Sequence, residues 1–337
     1  MKMSTSIVFV VVFIASVVTG LLSSPHDVVT RWSAGPRYQY TSSPEGSELV
    51  DSWLTAADLL LAARYNPAQD NNYHLFTRRN PSISQPIPYG ADSLLKASNF
   101  DPQKKTVFLV HGWKNTPLSL FNVQMVHAYV AAEDVNLIMV DWSIGAAGTY
   151  MSSLLNVPRS GEHVATYIEW LNSVSGASLN NYHIVGHSLG GHQAGIIGRN
   201  VGGHVAYITS LDPALPGWIS NPQGFQASDG LYTEVMHTNA GVSGKLVPVG
   251  DVDFYPNGGV NMPGCGNNDC SHHRAIYYMA ESLTSGGFTG HRCVELAAAL
   301  AGNCSGDTLN MGGGSAKTGS TGIYFLGTNA GPPFSQY

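Results

Sequence analysis

The sequence predicts an α/β fold with a mostly parallel central sheet and helices on both faces. Three observations carry that expectation. Short, continuous apolar runs recur at Thr106-Val107-Phe108-Leu109-Val110, Asn136-Leu137-Ile138-Met139-Val140, Tyr182-His183-Ile184-Val185 and Val205 to Leu211. Such runs are typical of strands buried on both sides. Helix-length segments separate them; in Gly161 to Val174, Val164, Ile168 and Leu171 stand near helical spacing. Alternation of strand and helix is the sequence form of a parallel sheet with crossover helices. Finally, polar or special residues close each run: His111-Gly112-Trp113, Asp141-Trp142, Gly186 and Asp212. Open α/β sheets place their sites at these carboxyl ends.

Composition narrows the function. The chain has 337 residues, with 16 Lys+Arg against 22 Asp+Glu, a net charge of −6. Hydrophobic residues make up 43%, enough for a core, while charged residues are only 11%, against roughly 25% in an average globular chain. Coiled coils and charge-rich tails are excluded, and no basic stretch suits nucleic acid.

The amino terminus reads as a secretory signal over 1–23. One lysine is followed by the apolar run Ile7 to Val18 and a small-residue exit at Thr19-Gly20. That run is shorter than the roughly 20 residues that span a bilayer. The mature chain is expected to begin between Leu21 and Asp27, in a secreted, extracellular protein. Residues 24–69 form an N-terminal segment packed on the main domain, polar and irregular apart from an apolar helical stretch near Trp53 to Ala63. Residues 70–337 form a single catalytic domain without internal repeats.

An oxidising compartment changes how Cys265, Cys270, Cys293 and Cys304 are read. Three disulfide connectivities are possible. The local pairs Cys265–Cys270 and Cys293–Cys304 are favoured, and no Cys-x-x-Cys pair suggests zinc. Asn303-Cys304-Ser305 is a glycosylation sequon, weakened by its bonded cysteine.

The chemistry centres on Gly186-His187-Ser188-Leu189-Gly190. G-x-S-x-G alone is a weak signal. Between a strand and a helix it marks the nucleophile elbow of the α/β-hydrolase fold, where a sharp strained turn aims the serine outward. Ser188 then needs a base, and the base needs an orienting acid. The next apolar run ends at Leu211-Asp212-Pro213-Ala214, which puts Asp212 at the same sheet edge. Asp229, Asp251, Asp253, Asp269 and Asp307 lack that placement. For the base, spacing leaves His272 and His273 of Cys270-Ser271-His272-His273-Arg274 nearly equal. His192, His204 and His237 read as core or surface histidines. An oxyanion needs two backbone donors. Leu189, after the nucleophile, supplies one, and the His111-Gly112-Trp113 loop suits the second. Losing one such donor costs about 3 kcal/mol of transition-state stabilisation. Gly312-Gly313-Gly314-Ser315-Ala316-Lys317-Thr318 imitates a phosphate loop but lacks the glycine before lysine and a leading strand. No metal-ligand spacing appears, so neither metal nor other cofactor is expected.

These residues resemble the animal pancreatic-type lipase family, particularly its secreted insect and phospholipase A1-like members. The matching pieces run in order from Val110-His111-Gly112-Trp113 and Val140-Asp141-Trp142 through Gly186-His187-Ser188-Leu189-Gly190-Gly191-His192 to Leu211-Asp212-Pro213-Ala214. They continue with Met236-His237-Thr238-Asn239, Asp253-Phe254-Tyr255-Pro256-Asn257-Gly258-Gly259, Pro263-Gly264-Cys265 and Cys270-Ser271-His272-His273-Arg274. The resemblance covers about residue 70 to the end. It implies a triad of Ser188, Asp212 and His272, selects His272 over His273, and implies an oxyanion hole of Trp113 and Leu189.

Two departures carry information. The family's lid lies between the cysteines matching Cys265 and Cys270, and here it is only Gly266-Asn267-Asn268-Asp269. Short lids in the family go with phospholipase A1 activity; the loop Trp218 to Leu231 is the other candidate cover. The family's C-terminal β-sandwich has no counterpart, so no colipase partner is expected, and its calcium loop is poorly matched near Asp229. The implied function is a secreted serine esterase acting on lipid esters at a membrane or lipid-droplet surface, phospholipid ahead of acylglycerol. The alternative is a catalytically silent lipid-binding or yolk-storage protein on the same fold.

Overall fold

A computed structural model describes residues 35–336. The expected signal segment, the expected mature start and residues 24–34 lie outside the described residues.

A hairpin comes first, β1 (Tyr38–Ser43) against β2 (Gly46–Asp51). The segment expected to be irregular is therefore a two-stranded ribbon. Its turn closes locally: Ser43 Oγ accepts from the Glu45 N–H at 3.2 Å and donates to the Gly46 carbonyl at 3.1 Å. Helix α1 (Ala56–Ala62) follows within the apolar stretch. It opens on a capping box in which Thr55 and Asp58 satisfy each other's backbone N–H.

The remaining strands build one sheet: β3 (Asn72–Phe76), β4 (Gln85–Pro86), β5 (Thr106–Val110), β6 (Asn136–Asp141), β7 (Tyr182–His187), β8 (Tyr207–Leu211), β9 (Thr233–Met236), β10 (Val252–Pro256), β11 (Thr289–Cys293), β12 (Thr308–Asn310) and β13 (Gly322–Leu326). Their order is β12-β11-β13-β10-β9-β8-β7-β5-β6-β3-β4. From β6 to β13 every neighbouring pair is parallel, and β3, β4, β11 and β12 add antiparallel edges. Four of the parallel strands are the apolar runs of the sequence, and β5 shows why they are continuous. Phe108 and Val110 enter the core on one face and Val107 and Leu109 the core on the other. Successive side chains point to opposite faces, so a doubly covered strand must be apolar throughout.

The first face is covered by α3 (Tyr150–Ser175) and α4 (Leu189–Asn200), and the second by α2 (Leu120–Ala132) and α5 (Asn268–Ser285). Helix α3 begins eleven residues before the expected Gly161. Thr149 caps it by accepting from the Ser152 N–H, and Pro158 is carried inside. Buried Asn156 donates to the Gly145 carbonyl at 2.9 Å, tying the polar stretch before Gly161 to the preceding turn. Among the described residues, no helix is long and apolar enough to cross a membrane.

The hairpin and α1 touch the main body through specific polar contacts. Glu48 pairs with Lys114 at 2.7 Å, Ser42 donates to Asp269, and Arg159 donates to the Ala62 and Tyr65 carbonyls at 2.8 and 2.6 Å. The disulfides are Cys265–Cys270 and Cys293–Cys304, the favoured local pairs. Asn303 is exposed beside the second.

Candidate active site

Ser188 sits between β7 and α4 with φ 58° and ψ −120°, a region closed to most side-chain-bearing residues. Crowding forces the glycines around it. A Cβ on Gly186 would stand 1.9 Å from the Gly190 carbonyl oxygen, and one on Gly190 would stand 2.1 Å from the Val110 oxygen. The turn is pinned by the Ser188 N–H, which donates to Leu211 at 3.1 Å, and by the Ser188 carbonyl, which accepts from Gly191 and Ala214 at 3.0 and 3.2 Å.

Strands β7 and β8 are in register His187 to Leu211, so Ser188 and Asp212 are the next residues out at one edge. Asp212, itself at φ 43°, is fully buried. Its Oδ1 accepts the backbone N–H groups of Thr238 and Asn239 at 2.8 and 3.0 Å, and its Oδ2 meets His272 Nδ1 at 2.6 Å. A carboxylate only accepts, so Nδ1 carries the proton and Nε2 presents its lone pair. That Nε2 is buried and has no partner among the described residues. The geometry also separates the two adjacent histidines, because His273 turns to Asp269 at 3.6 Å.

His187 packs against His272. Its Nε2 lies 3.2 Å from the His272 carbonyl and its ring 4.6 Å from the His272 ring. Burial, then the nearby His272 and His273, push the His187 pKa well below the usual histidine value, so it stays neutral. Opposite the serine, a Cβ on Gly112 would be 3.0 Å from Ser188 Cβ. The next peptide N–H is that of Trp113. Neither the Trp113 nor the Leu189 N–H has an acceptor among the described residues. Two free donors beside a strained serine and a polarised His–Asp pair can together attack a carbonyl and hold the resulting oxyanion.

The discounted residues have other partners. His192 is buried between the Ala214 carbonyl at 2.8 Å and the Phe225 N–H at 3.0 Å. His237 is buried against Asp253 at 2.9 Å, and His204 is exposed. Asp229 is gripped by Arg199 at 2.8 and 2.9 Å. Lys317 of the glycine-rich stretch pairs with buried Glu234, which also accepts from the Gly312 N–H at 2.6 Å. This stretch therefore plugs a buried carboxylate. Among the described residues, no three His, Cys, Asp or Glu converge as a metal site.

Both candidate covers are tied down. Asn268 already begins α5, so the Cys265–Cys270 loop is a capped helix start. In the loop Trp218 to Leu231, Trp218 and Phe225 belong to the core, with Trp218 stacked 4.0 Å from His192. Ile219 is left exposed beside them, 44% accessible. The loop's two largest apolar side chains are thus committed to packing.

A family model described as Lipase matches residues 50–334. The chain belongs to the pancreatic-type lipase family. Pancreatic lipase-related protein 2 of Cavia porcellus is 35% identical over 239 residues, covering 67% of this chain and 54% of its own length. Pancreatic triacylglycerol lipase of Oryctolagus cuniculus is 32% identical over 263 residues, covering 70% and 56%. Pancreatic lipase-related protein 2 of Bos taurus is 32% identical over 310 residues, covering 80% and 65%. The chain thus spans between about half and two thirds of the length of these lipase relatives. Among solved structures, a dienelactone hydrolase from Anabaena variabilis overlaps 50% of this chain and 74% of its own, at 12% identity and TM-score 0.31.

Sequence reasoning from residues alone missed the clasp on Asp212. It is made of backbone N–H groups from Thr238 and Asn239, which no side-chain pattern advertises. The His187 prop was equally hidden, although its position inside the serine pentapeptide was a signal.

Proposed function

We propose that this chain is a secreted carboxylic ester hydrolase that cleaves lipid esters through an acyl-serine intermediate. Ser188 Oγ attacks the ester carbonyl and His272 Nε2 takes its proton. Asp212 holds the imidazole in the Nδ1–H tautomer and stabilises its charged form. The Trp113 and Leu189 N–H groups receive the oxyanion. His272 then protonates the leaving alcohol, and water repeats the cycle to free the fatty acid.

One observation carries this reading: the 2.6 Å Asp212–His272 contact, with an unpartnered Nε2, at the edge where Ser188 stands at positive φ. The relatives named for triacylglycerol support lipid ester substrates. The four-residue Cys265–Cys270 loop has no apolar residue and favours phospholipid as the first substrate to test, because a polar headgroup meets no cover there.

The experiment is acyl release by the purified protein from matched phospholipid and triglyceride dispersions, beside Ser188→Ala. Wild type should release fatty acid and be labelled at Ser188 by a serine-directed phosphonate. Ser188→Ala should do neither while unfolding at an unchanged denaturant midpoint. Appreciable turnover by Ser188→Ala refutes the mechanism. Release from triglyceride alone refutes the phospholipid preference.

A further inference from the structure

We propose that His111 is a positioning residue for the oxyanion-binding peptide, acting through the carbonyl of Gly112. This rests on the acyl-serine reading and extends it to a residue outside the triad. The Gly112–Trp113 peptide is planar and trans, so its C=O and N–H point in opposite directions. Whatever fixes the Gly112 oxygen therefore aims the Trp113 N–H.

Two donors fix that oxygen. His111 Nδ1 lies 3.0 Å from it, and the Asn115 N–H donates to it at 3.3 Å. A carbonyl only accepts, so Nδ1 must carry a proton. On the other side of the ring, the Trp142 N–H donates to His111 Nε2 at 3.3 Å, so Nε2 must offer a lone pair. The neutral Nδ1–H tautomer alone satisfies both contacts. Asp141 Oδ1 stands farther off, 3.9 Å from Nε2, and accepts from the Ser143 N–H at 3.0 Å.

The ring itself cannot drift. It is fully buried and stacked on Trp142 at 5.6 Å and 19°. The Trp142 indole N–H returns a hydrogen bond to the His111 carbonyl at 2.9 Å. Trp113 is tethered separately, its indole N–H donating to Gly148 at 3.0 Å. Gly112, at the head of this peptide, lies against Ser188, and the Trp113 N–H has no acceptor among the described residues. Its direction is set before substrate arrives, which is what preorganised oxyanion stabilisation requires.

The test separates the two ring nitrogens. His111→Phe keeps the stacked ring and removes the donor. His111→Asn puts an amide N–H near the Nδ1 position, and His111→Gln puts one near Nε2. His111→Phe should lower kcat by about 10- to 100-fold, less than outright loss of an oxyanion donor. Its KM for a short-chain ester should stay within about threefold, and phosphonate labelling of Ser188 should slow in step with kcat. His111→Asn should recover most of the rate and His111→Gln should not. Full kcat in His111→Phe, or equal impairment of the Asn and Gln variants, overturns the inference. Long-range 1H–15N spectra of 15N-histidine-labelled wild type give a reading that needs no variant to be active. The Nδ1–H form supports the inference, and a neutral Nε2–H form overturns it. A wild-type chain that neither turns over nor labels refutes the acyl-serine reading and takes this inference with it. An active wild type with an unimpaired His111→Phe refutes the His111 role alone.

Discussion

Gly244→Ala should disable the site without touching the triad. A Cβ at position 244 would stand 2.3 Å from Asp212 Oδ1, 2.5 Å from Cγ and 2.6 Å from Oδ2. Ordinary contact begins near 3.4 Å, so the carboxylate or the loop must yield by about 1 Å. Asp212 is fully buried and cannot retreat into water. It must give up either the Thr238 and Asn239 N–H bonds on Oδ1 or the 2.6 Å bond to His272 on Oδ2. Hydrogen bonds to a charged group are worth about 1.5–3 kcal/mol each. In the serine-protease template, corrupting the acid's hold on its histidine costs about 10⁴ in kcat. A displaced but present carboxylate should cost less, about 10²- to 10³-fold, or roughly 3–4 kcal/mol of barrier. The strained contact should also lower stability by about 1–3 kcal/mol. The assay is kcat and KM on a soluble short-chain ester, phosphonate labelling of Ser188, and urea unfolding. Gly266→Ala is the control, since a Cβ there meets nothing within 4 Å. A folded Gly244→Ala with kcat within threefold of wild type would show that the loop yields and that the clasp does not fix Asp212.

His272→Ala should lose several orders of magnitude in kcat, whereas His273→Ala, whose ring faces Asp269 at 3.6 Å, should stay within about tenfold; the reverse ranking would move the base by one residue. Stability should fall as pH drops below 6.5. Burial pushes His183 and His187 well below their usual value and His192 down to about 3, so the unfolded chain binds protons that the folded chain does not. Each depressed histidine contributes stability that is fully present above about 6.5 and lost as pH falls towards its folded value, on the order of 1 kcal/mol between pH 7 and 5.5. Urea unfolding should therefore show a loss of a few kcal/mol for the three over that interval, and a flat profile would contradict the buried neutral state. Finally, rate against short-chain ester should continue near-linearly through the solubility limit, because the Cys265–Cys270 loop begins a helix and the Trp218 to Leu231 loop keeps Trp218 and Phe225 in the core. A sharp rise at that limit would reveal a cover elsewhere.

The centre of the fold was legible because its constraints are local. A strand covered on both faces admits only apolar residues, and Thr106 to Val110 and Asn136 to Val140 announced themselves. Elements whose polar residues find partners only in the folded chain did not. Tyr150 to Ser160 contains Ser152, Ser153, Asn156 and Pro158 and reads as a break, yet Ser152 Oγ donates to the Thr149 carbonyl and Asn156 to Gly145. The β1–β2 ribbon was hidden for a related reason. It leaves Tyr38, Tyr40 and Leu49 exposed, so no core-facing alternation marked it. His272 and His273 were inseparable by spacing, because adjacent residues on a helix point about 100° apart and only the packing says which one meets Asp212.

The geometry further explains why Ser188 and Asp212 can share one edge despite strain at both. Non-glycine residues at positive φ cost about 1–3 kcal/mol each, and Ser188 and Asp212 are two of them. Each strained turn is held by the other. The Ser188 N–H donates to Leu211, immediately before Asp212, and the Ser188 carbonyl accepts from Ala214, two residues after it. The Asp212 N–H in turn donates to Met236 at the end of β9, from which the chain runs directly into Thr238 and Asn239 and their bonds to the carboxylate. Relaxing one turn would break hydrogen bonds that stabilise the next, so the strain cannot be released piecemeal. A serine aimed outward by such a turn keeps its direction for the same reason that its acid does: three consecutive strand ends are laced together by backbone bonds that do not depend on what any side chain there is doing.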